Sequence, residues 1–375
     1  MGVREPASMP IKRGLISAVL TLLVFVVPAN SQETVTTDSI GRGKELNVTE
    51  YLERKLEREP ENVLEKTEEF INTYLDEKDS IYISPNLYNF TIMPQYSNAY
   101  EYYRFSTGNG QQRITMSPSS INRIGLYLGW RWLFLGYSID LEEGSPQTDI
   151  NFSFYTSKAG IDLFYRKRTE GYRIRNLEGF KEGGREIVDY NHSFDGLTVE
   201  QMGLNLYYVF NNKKFSYPAA YSQSTNQRIS AGSFILGVNY NEQSFAFDHT
   251  KFDPKIQEAL LPELKFNKIK YKDFSINFGY SYNWVFAKDC LANISVTPAV
   301  GYKNTSFKLK NGSEFFSNIN FDLITRAAIV YNNGKYYAGA SLVSHTYSYN
   351  KSSLAILNGF GVINVYVGFN FWRRD

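Results

Sequence analysis

Ser275-Ile276-Asn277-Phe278-Gly279-Tyr280-Ser281-Tyr282-Asn283-Trp284 alternates between small or polar and large apolar side chains without a break. Successive side chains of an extended chain point to opposite faces. The spacing therefore predicts a strand with Ile276, Phe278, Tyr280, Tyr282 and Trp284 on one face and Ser275, Asn277, Gly279, Ser281 and Asn283 on the other. Ile363, Val365, Val367, Phe369 and Phe371 alternate in the same way with Asn364, Tyr366, Gly368 and Asn370. Leu204 to Phe210 and Phe234 to Tyr240 repeat the pattern. A soluble sandwich alternates too, so the pattern establishes strands before it establishes their surroundings.

Charged residues sharpen the choice. Asp162 and Arg166 fall opposite Ile161, Leu163 and Tyr165, and Asp322 and Arg326 fall opposite Phe321, Leu323, Ala327 and Ile329. Arg123 and Asp140 likewise avoid the apolar phase of their neighbours. A charge facing lipid near the bilayer centre costs roughly 2–4 kcal/mol, whereas a polar lumen accepts it. These six residues are the candidates for a lumen lining. They are equally the solvent face of an ordinary sheet, but that reading leaves the long aromatic and aliphatic face without a partner. The 29 tyrosines and 27 phenylalanines suit the girdles of a membrane barrel.

Short and long connections tend to alternate, as periplasmic turns and extracellular loops do. Gly129 to Arg131, Ser157 to Ala159, Lys288-Asp289 and Asn332 to Gly334 are short; Glu142 to Gln147, Thr169 to Glu200, Asn304 to Phe316 and Asn350 to Leu354 are the other kind. Asn211 to Arg228 breaks the rule, being long where a turn is due, with extended pieces expected near Phe215 and Tyr221. Eleven spanning stretches follow Ile121, and termini on one side of the membrane require an even number. Leu87 to Tyr96, Tyr100 to Ser106 and Gln111 to Met116 compete to supply the remainder. The expected fold is all-β: an antiparallel transmembrane β-barrel of about twelve strands, with ten and fourteen open, behind a short N-terminal helical segment.

The N-terminus supplies a compartment. Lys12 and Arg13 precede an apolar run from Leu15 to Val27, with Ala29-Asn30-Ser31 after it. That is the layout of a secretory signal peptide over residues 1–31, and thirteen helical residues rise only about 20 Å, too short to cross a bilayer. Residues 32–80 are expected to form a periplasmic helical segment: Asn47 and Glu50 fit a capping box, and Pro60 opens a stripe through Val63, Leu64, Phe70, Ile71 and Leu75. The barrel is then expected over 81–375. From Gln32 onward the chain carries 37 basic and 37 acidic residues, which counts against nucleic acid as a partner. Cys290 is the sole cysteine and can form no intrachain disulfide.

Ser117-Pro118, the run Gly125-Leu126-Tyr127-Leu128-Gly129-Trp130-Arg131-Trp132-Leu133-Phe134-Leu135-Gly136-Tyr137 and, upstream, Tyr82-Ile83-Ser84-Pro85-Asn86 carry a resemblance. The sequence resembles the exported family of Bacteroidota known as domain of unknown function 4421, over roughly residues 75 to 373. The resemblance implies an outer-membrane barrel of a Gram-negative bacterium, with outer-membrane lipid and the barrel assembly machinery as partners, and implies no catalytic residue. Read physically, Trp130, Arg131 and Trp132 at a turn are candidates for an interfacial anchor, with indoles at headgroup level and the guanidinium reaching water. A cation–π clamp on a ligand is the other reading.

Chemistry is sparse. His192, His249 and His345 are far apart and do not have zinc-ligand spacing, and neither a phosphate-binding Gly-Lys-Ser/Thr motif nor a dinucleotide fingerprint occurs. No cofactor, metal or catalytic cluster is therefore expected. Ser344-His345-Thr346 keeps open a barrel-borne hydrolase. The leading functional expectation is a channel or uptake pore for a small solute. The alternative is a structural or adhesion barrel that binds an external ligand through its long loops, 169–200 and 241–270.

Overall fold

Period-two alternation becomes extended strand along almost the whole described chain. The computed structural model describes residues 77–373 apart from 131–132, 142–146, 188–190, 310–311 and 352, all within the unit Leu75–Asp375. The first strands are β1 (Ile83–Pro85), β2 (Tyr88–Thr107), β3 (Arg113–Pro118), β4 (Ile121–Trp130), β5 (Leu133–Asp140), β6 (Gln147–Tyr155) and β7 (Ala159–Arg168). Then come β8 (Tyr172–Glu178), β9 (Lys181–Glu182), β10 (Arg185–Glu186), β11 (His192–Phe194), β12 (Leu197–Val209), β13 (Thr225–Gln227) and β14 (Ala231–Phe247). The chain closes with β15 (Lys268–Ala287), β16 (Cys290–Leu309), β17 (Gly312–Asn332), β18 (Tyr336–Lys351) and β19 (Leu354–Arg373). Among the described residues two short α-helices interrupt the strands, α1 (Pro218–Tyr221) and α2 (Pro254–Ala259).

Among the described residues fifteen strands join one sheet. Its long members β6, β7, β12, β14, β15, β16, β17, β18 and β19 pair antiparallel in that order, and β19 then pairs with β2. Beyond β2 the sheet forks. The Phe90–Ala99 half of β2 pairs with β4, which pairs with β5, while Tyr103–Ser106 pairs with β3, which leads to β8 and β11. The strands of eight or more residues number twelve among the described residues. The first of them pairs with the last, but no ladder joins β5 to β6, so the described sheet is not a closed ring. Side-chain contacts show how strongly it curls. Arg326 of β17 reaches Asp162 of β7 at 2.5 Å, and Phe164 of β7 meets Phe360 of β19 at 5.0 Å between ring centres.

Two of the three stretches competing upstream, Leu87 to Tyr96 and Tyr100 to Ser106, are one continuous strand, β2, and the third contributes β3. The connection expected over Asn304 to Phe316 is instead strand up to Leu309 and again from Gly312. Asn, Ser and Lys there read as loop, but a ladder from Lys268 to Lys308 holds them extended. Strands β15 to β19 run 16–21 residues, roughly one and a half to two times the length that crosses a bilayer. The expected signal peptide over 1–31 lies outside the described residues. So does the helical segment over 32–80, except for residues 77–80, which are not helical.

Gly279 shows how tightly β15 and β16 pair. A Cβ there would stand 2.2 Å from the Val296 carbonyl oxygen and 2.6 Å from Thr297 Cα, both backbone atoms that cannot swing aside. Gly279→Val is expected to destabilise the sheet by roughly 1–3 kcal/mol, read as a lower unfolding midpoint. An unchanged midpoint would show that the two backbones are less closely apposed.

Candidate functional site

Burial along β15 is inverted relative to a soluble sheet. Ser275, Asn277, Ser281 and Asn283 are at most 1% exposed, while Phe274, Ile276, Phe278 and Tyr280 are 46–56% exposed. The neighbours agree: Leu236 and Val238 of β14, Ile294 and Val296 of β16, and Val365 and Val367 of β19 all lie on the exposed face. The polar face is the concave one, and the candidate site is built there.

At its centre Asp162 and Arg326 form a buried ion pair. Asp162 Oδ1 accepts from Ser153 Oγ at 2.8 Å and Tyr155 OH at 3.1 Å; its Oδ2 accepts from Asn205 at 3.0 Å and Arg326 Nη2 at 2.5 Å. A buried carboxylate is tolerated only when its lone pairs are filled in this way. A second group surrounds Asp149, which accepts from Arg123 Nη1 at 2.9 Å and lies 3.2 Å from Arg166 Nε. Arg123 Nε also donates to Asp140 at 2.7 Å, and the Arg166 guanidinium covers the Phe360 ring at 4.2 Å. A third group has Lys303 Nζ donating to Asp322 at 2.8 Å and to the Ser348 carbonyl at 2.7 Å, with Asp273 buried nearby.

The six sequence-derived candidates thus separate into three clusters. Arg123, Asp140 and Arg166 share the Asp149 group, Asp162 pairs with Arg326, and Asp322 pairs with Lys303. Asp140 is the most accessible, with 39% of its side chain exposed. Asp149, Lys303 and Asp273 were missed, although each shares the polar phase of its strand: Lys303 follows Asn293, Ser295 and Thr297, and Asp273 precedes Ser275 and Asn277. Arg131 and Trp132, with the Trp130 side chain, lie outside the described residues.

Both ends of the concave space are filled by the chain itself. At the end of the tight turns Lys288-Asp289 and Asn333–Lys335, residues 211–230 fold inward. Tyr217 OH meets Ser295 Oγ at 2.6 Å, Tyr221 OH donates to Asn293 Oδ1 at 2.6 Å, and Asn283 donates to the Ser216 carbonyl at 2.8 Å. Burial pushes the Tyr221 phenol well above its ordinary range, so it remains a donor. Strand β13 of this insert pairs with β1. The extended pieces expected near Phe215 and Tyr221 are an inward plug, with Phe215 buried and α1 ending at Tyr221. At the opposite end an apolar cluster packs Phe105, Phe180, Phe245, Phe252, Leu260 and Phe266 around α2.

His345 does not assemble a triad with its neighbours. Its ring stacks on Phe360 at 5.0 Å, while Ser344 faces the other way and accepts from Tyr100 OH at 2.9 Å. Among the described residues no three His, Cys, Asp or Glu side chains are grouped to hold a metal.

Several solved structures are similar at low identity. The outer membrane protease OmpT from Escherichia coli matches with 9% identity and a TM-score of 0.36, over 77% of this chain and 98% of its own. The Pseudomonas putida toluene transporter TodX matches with 9% identity and a TM-score of 0.25, over 76% and 91%. Ail, the attachment invasion locus protein of Yersinia pestis, matches with 9% identity and a TM-score of 0.23, over 73% and 98%. Likeness this distant bears on neither substrate nor activity. No curated protein matches. The family comparison covers most of the sheet, and by that match over residues 77–371 the chain belongs to the family described as domain of unknown function (DUF4421).

Proposed function

We propose that this chain is an outer-membrane β-barrel, closed around a polar lumen, that handles a small solute. The observation that carries the reading is the inverted burial of β15 and its neighbours. A sheet that turns Ile276, Phe278, Ile294, Val296 and Val365 outward and hides Asn277, Asn283 and Asn293 is stable where the outside is hydrocarbon. In water such an apolar band far exceeds the patches that monomeric proteins expose. Outer-membrane lipid is then the principal partner, and insertion is the task of the barrel assembly machinery.

The lumen-facing role of Arg123, Asp140, Asp162, Arg166, Asp322 and Arg326 belongs to this reading. Charges inside a low-dielectric wall act on a passing solute more strongly than charges in bulk water. With a plug at the turn end and an apolar pack at the loop end, the conformation is a closed one. The second reading, a structural or adhesion barrel, draws on that same pack, since a rigid apolar base under α2 and β8 suits a platform for loop-mediated binding.

Purified in detergent, the folded protein is expected to migrate faster on a gel before boiling than after, with a strand-dominated circular dichroism spectrum. Unchanged mobility together with full solubility in plain buffer would overturn the membrane barrel.

A further inference from the structure

Along β2 both faces change character without a slip in phase. In its Phe90–Ala99 half Ile92 and Tyr96 are exposed while Thr91 and Ser97 are buried. Further on, Tyr103 and Phe105 are buried and Arg104 takes the outer face. Strand β15 changes in the same way. Ile269 and Tyr271 are buried and Lys270 and Lys272 point outward, whereas from Phe274 to Trp284 the outer face is apolar. The two changes lie at one level, since Phe245 of β14 pairs with Ile269 and meets the Tyr103 ring at 5.9 Å across the interior. Phe274 to Trp284 is about 34 Å of strand, or about 25 Å of height at the usual tilt, which matches the apolar band of an outer-membrane barrel. Beyond that band the sheet is apolar inside and polar outside, as in a protein bathed by water.

Just past this boundary the outer face of the β2–β3–β8 branch is basic. Arg104 lies opposite Thr115, Arg113 opposite Glu178 and Arg173 opposite Ser117, with Arg175 at the bulge where the β3–β8 register shifts. The same strands turn Phe105, Ile114, Met116 and Ile174 inward into the apolar cluster, so the four guanidiniums share the other face. Charge there is poorly matched. Arg113 pairs with Glu178, but Arg175 Nε donates to Ser117 Oγ at 2.8 Å and Arg173 Nε to Asn191 Oδ1 at 3.1 Å, both neutral acceptors. Arg104 Nε and Arg113 Nε find no acceptor among the described residues. The lysines of β15 differ, because Glu242 pairs with both Lys270 and Lys272. Guanidiniums held by neutral partners keep their charge, and their fork of donors suits a phosphate.

We propose that this arginine face docks the phosphorylated heads of outer-leaflet lipids. Its position selects a lipid over a soluble anion. Continuing the Tyr103–Met116 pair by one residue places Tyr102 level with Ser117 and Arg173, and Tyr102, Tyr100 and Tyr96 descend the same outer face to the apolar band. A lipid whose chains lie against that band carries its phosphate to the height of Arg173 and Arg175. The inference rests on the membrane placement proposed above and deepens it by naming the lipid chemistry that the loop end of the wall receives.

Full-length protein in nonionic detergent, checked first for heat-modifiable mobility, is titrated with bisphosphorylated lipid A, and bound lipid is counted by native mass spectrometry. The comparison probe is the same lipid after enzymatic removal of its phosphates, and the competitor is inorganic pyrophosphate. Saturable binding is expected for the phosphorylated lipid. It should be at least about tenfold weaker for the stripped lipid and for Arg173→Gln with Arg175→Gln, and partly recovered with Lys at both positions. Lys270→Gln with Lys272→Gln, which removes cations already paired, should change binding less than about twofold. Equal binding of the two lipids by the wild type overturns the proposal even if the arginine variant fails to fold. A folded arginine variant that binds as the wild type does, or a lysine variant that loses as much, overturns the assignment to this face. Displacement of the lipid by pyrophosphate at matching concentration makes the ligand an aqueous anion and overturns the lipid. Absence of heat-modifiability in the wild type overturns the membrane reading itself.

Discussion

Arg326→Ala is expected to destabilise the folded protein by about 3–5 kcal/mol, measured as the unfolding midpoint in detergent. The guanidinium is 3% exposed and donates to Asp162, which is 8% exposed. Removing the cation leaves that carboxylate in the interior with only the neutral donors Ser153, Tyr155 and Asn205. The contact also ties β17 to β7 across the concave space, so its loss relaxes the curl of the sheet as well as one ion pair. Asp162→Ala is expected to cost a similar amount by orphaning the arginine. The double variant Arg326→Met with Asp162→Leu should regain most of the loss, because replacing a whole buried pair with apolar groups is often close to neutral. If either single variant unfolds at the wild-type midpoint, the pair is not holding the two walls together.

The second large effect separates lipid from water on the outer face. Phe278 is 53% exposed in the middle of the apolar band of β15. Phe278→Arg is expected to cost about 2–4 kcal/mol for the protein folded into bilayers, depending on its depth. A soluble sheet would absorb the same change within about 0.5 kcal/mol, since exposed substitutions away from special features rarely exceed that. The measurement is the folded fraction recovered in liposomes across a urea series. A neutral result would place this face in water.

Much of the wall was legible in advance because its signal is local. Ile276 to Trp284 and Ile363 to Phe371 announce strands through a two-residue period, which a single extended backbone imposes on itself. The polar phase of Asp162, Arg166, Asp322 and Arg326 was readable by the same rule, and applying it consistently to Asp149, Asp273 and Lys303 would have found those as well. Composition misled where a ladder overrules propensity. Asn304 to Phe316 looks like a loop, yet pairing holds most of it extended.

The sequence by itself determined that the chain alternates, which side chains share a face, and that one face is apolar from strand to strand. Only the tertiary structure decided which charges meet. Arg326 finds Asp162 across 164 positions of sequence, and Arg166 faces Asp149 rather than the carboxylate four residues before it. It also decided that residues 211–230 turn inward, because Asn283, Asn293 and Ser295 offer partners only once β15 and β16 stand side by side. It decided, too, that among the described residues no ladder joins β5 to β6. Alternation costs a chain nothing beyond its own backbone geometry. Pairing across the interior depends on how far a whole sheet curls, and that is a sum over every strand that no single stretch encodes.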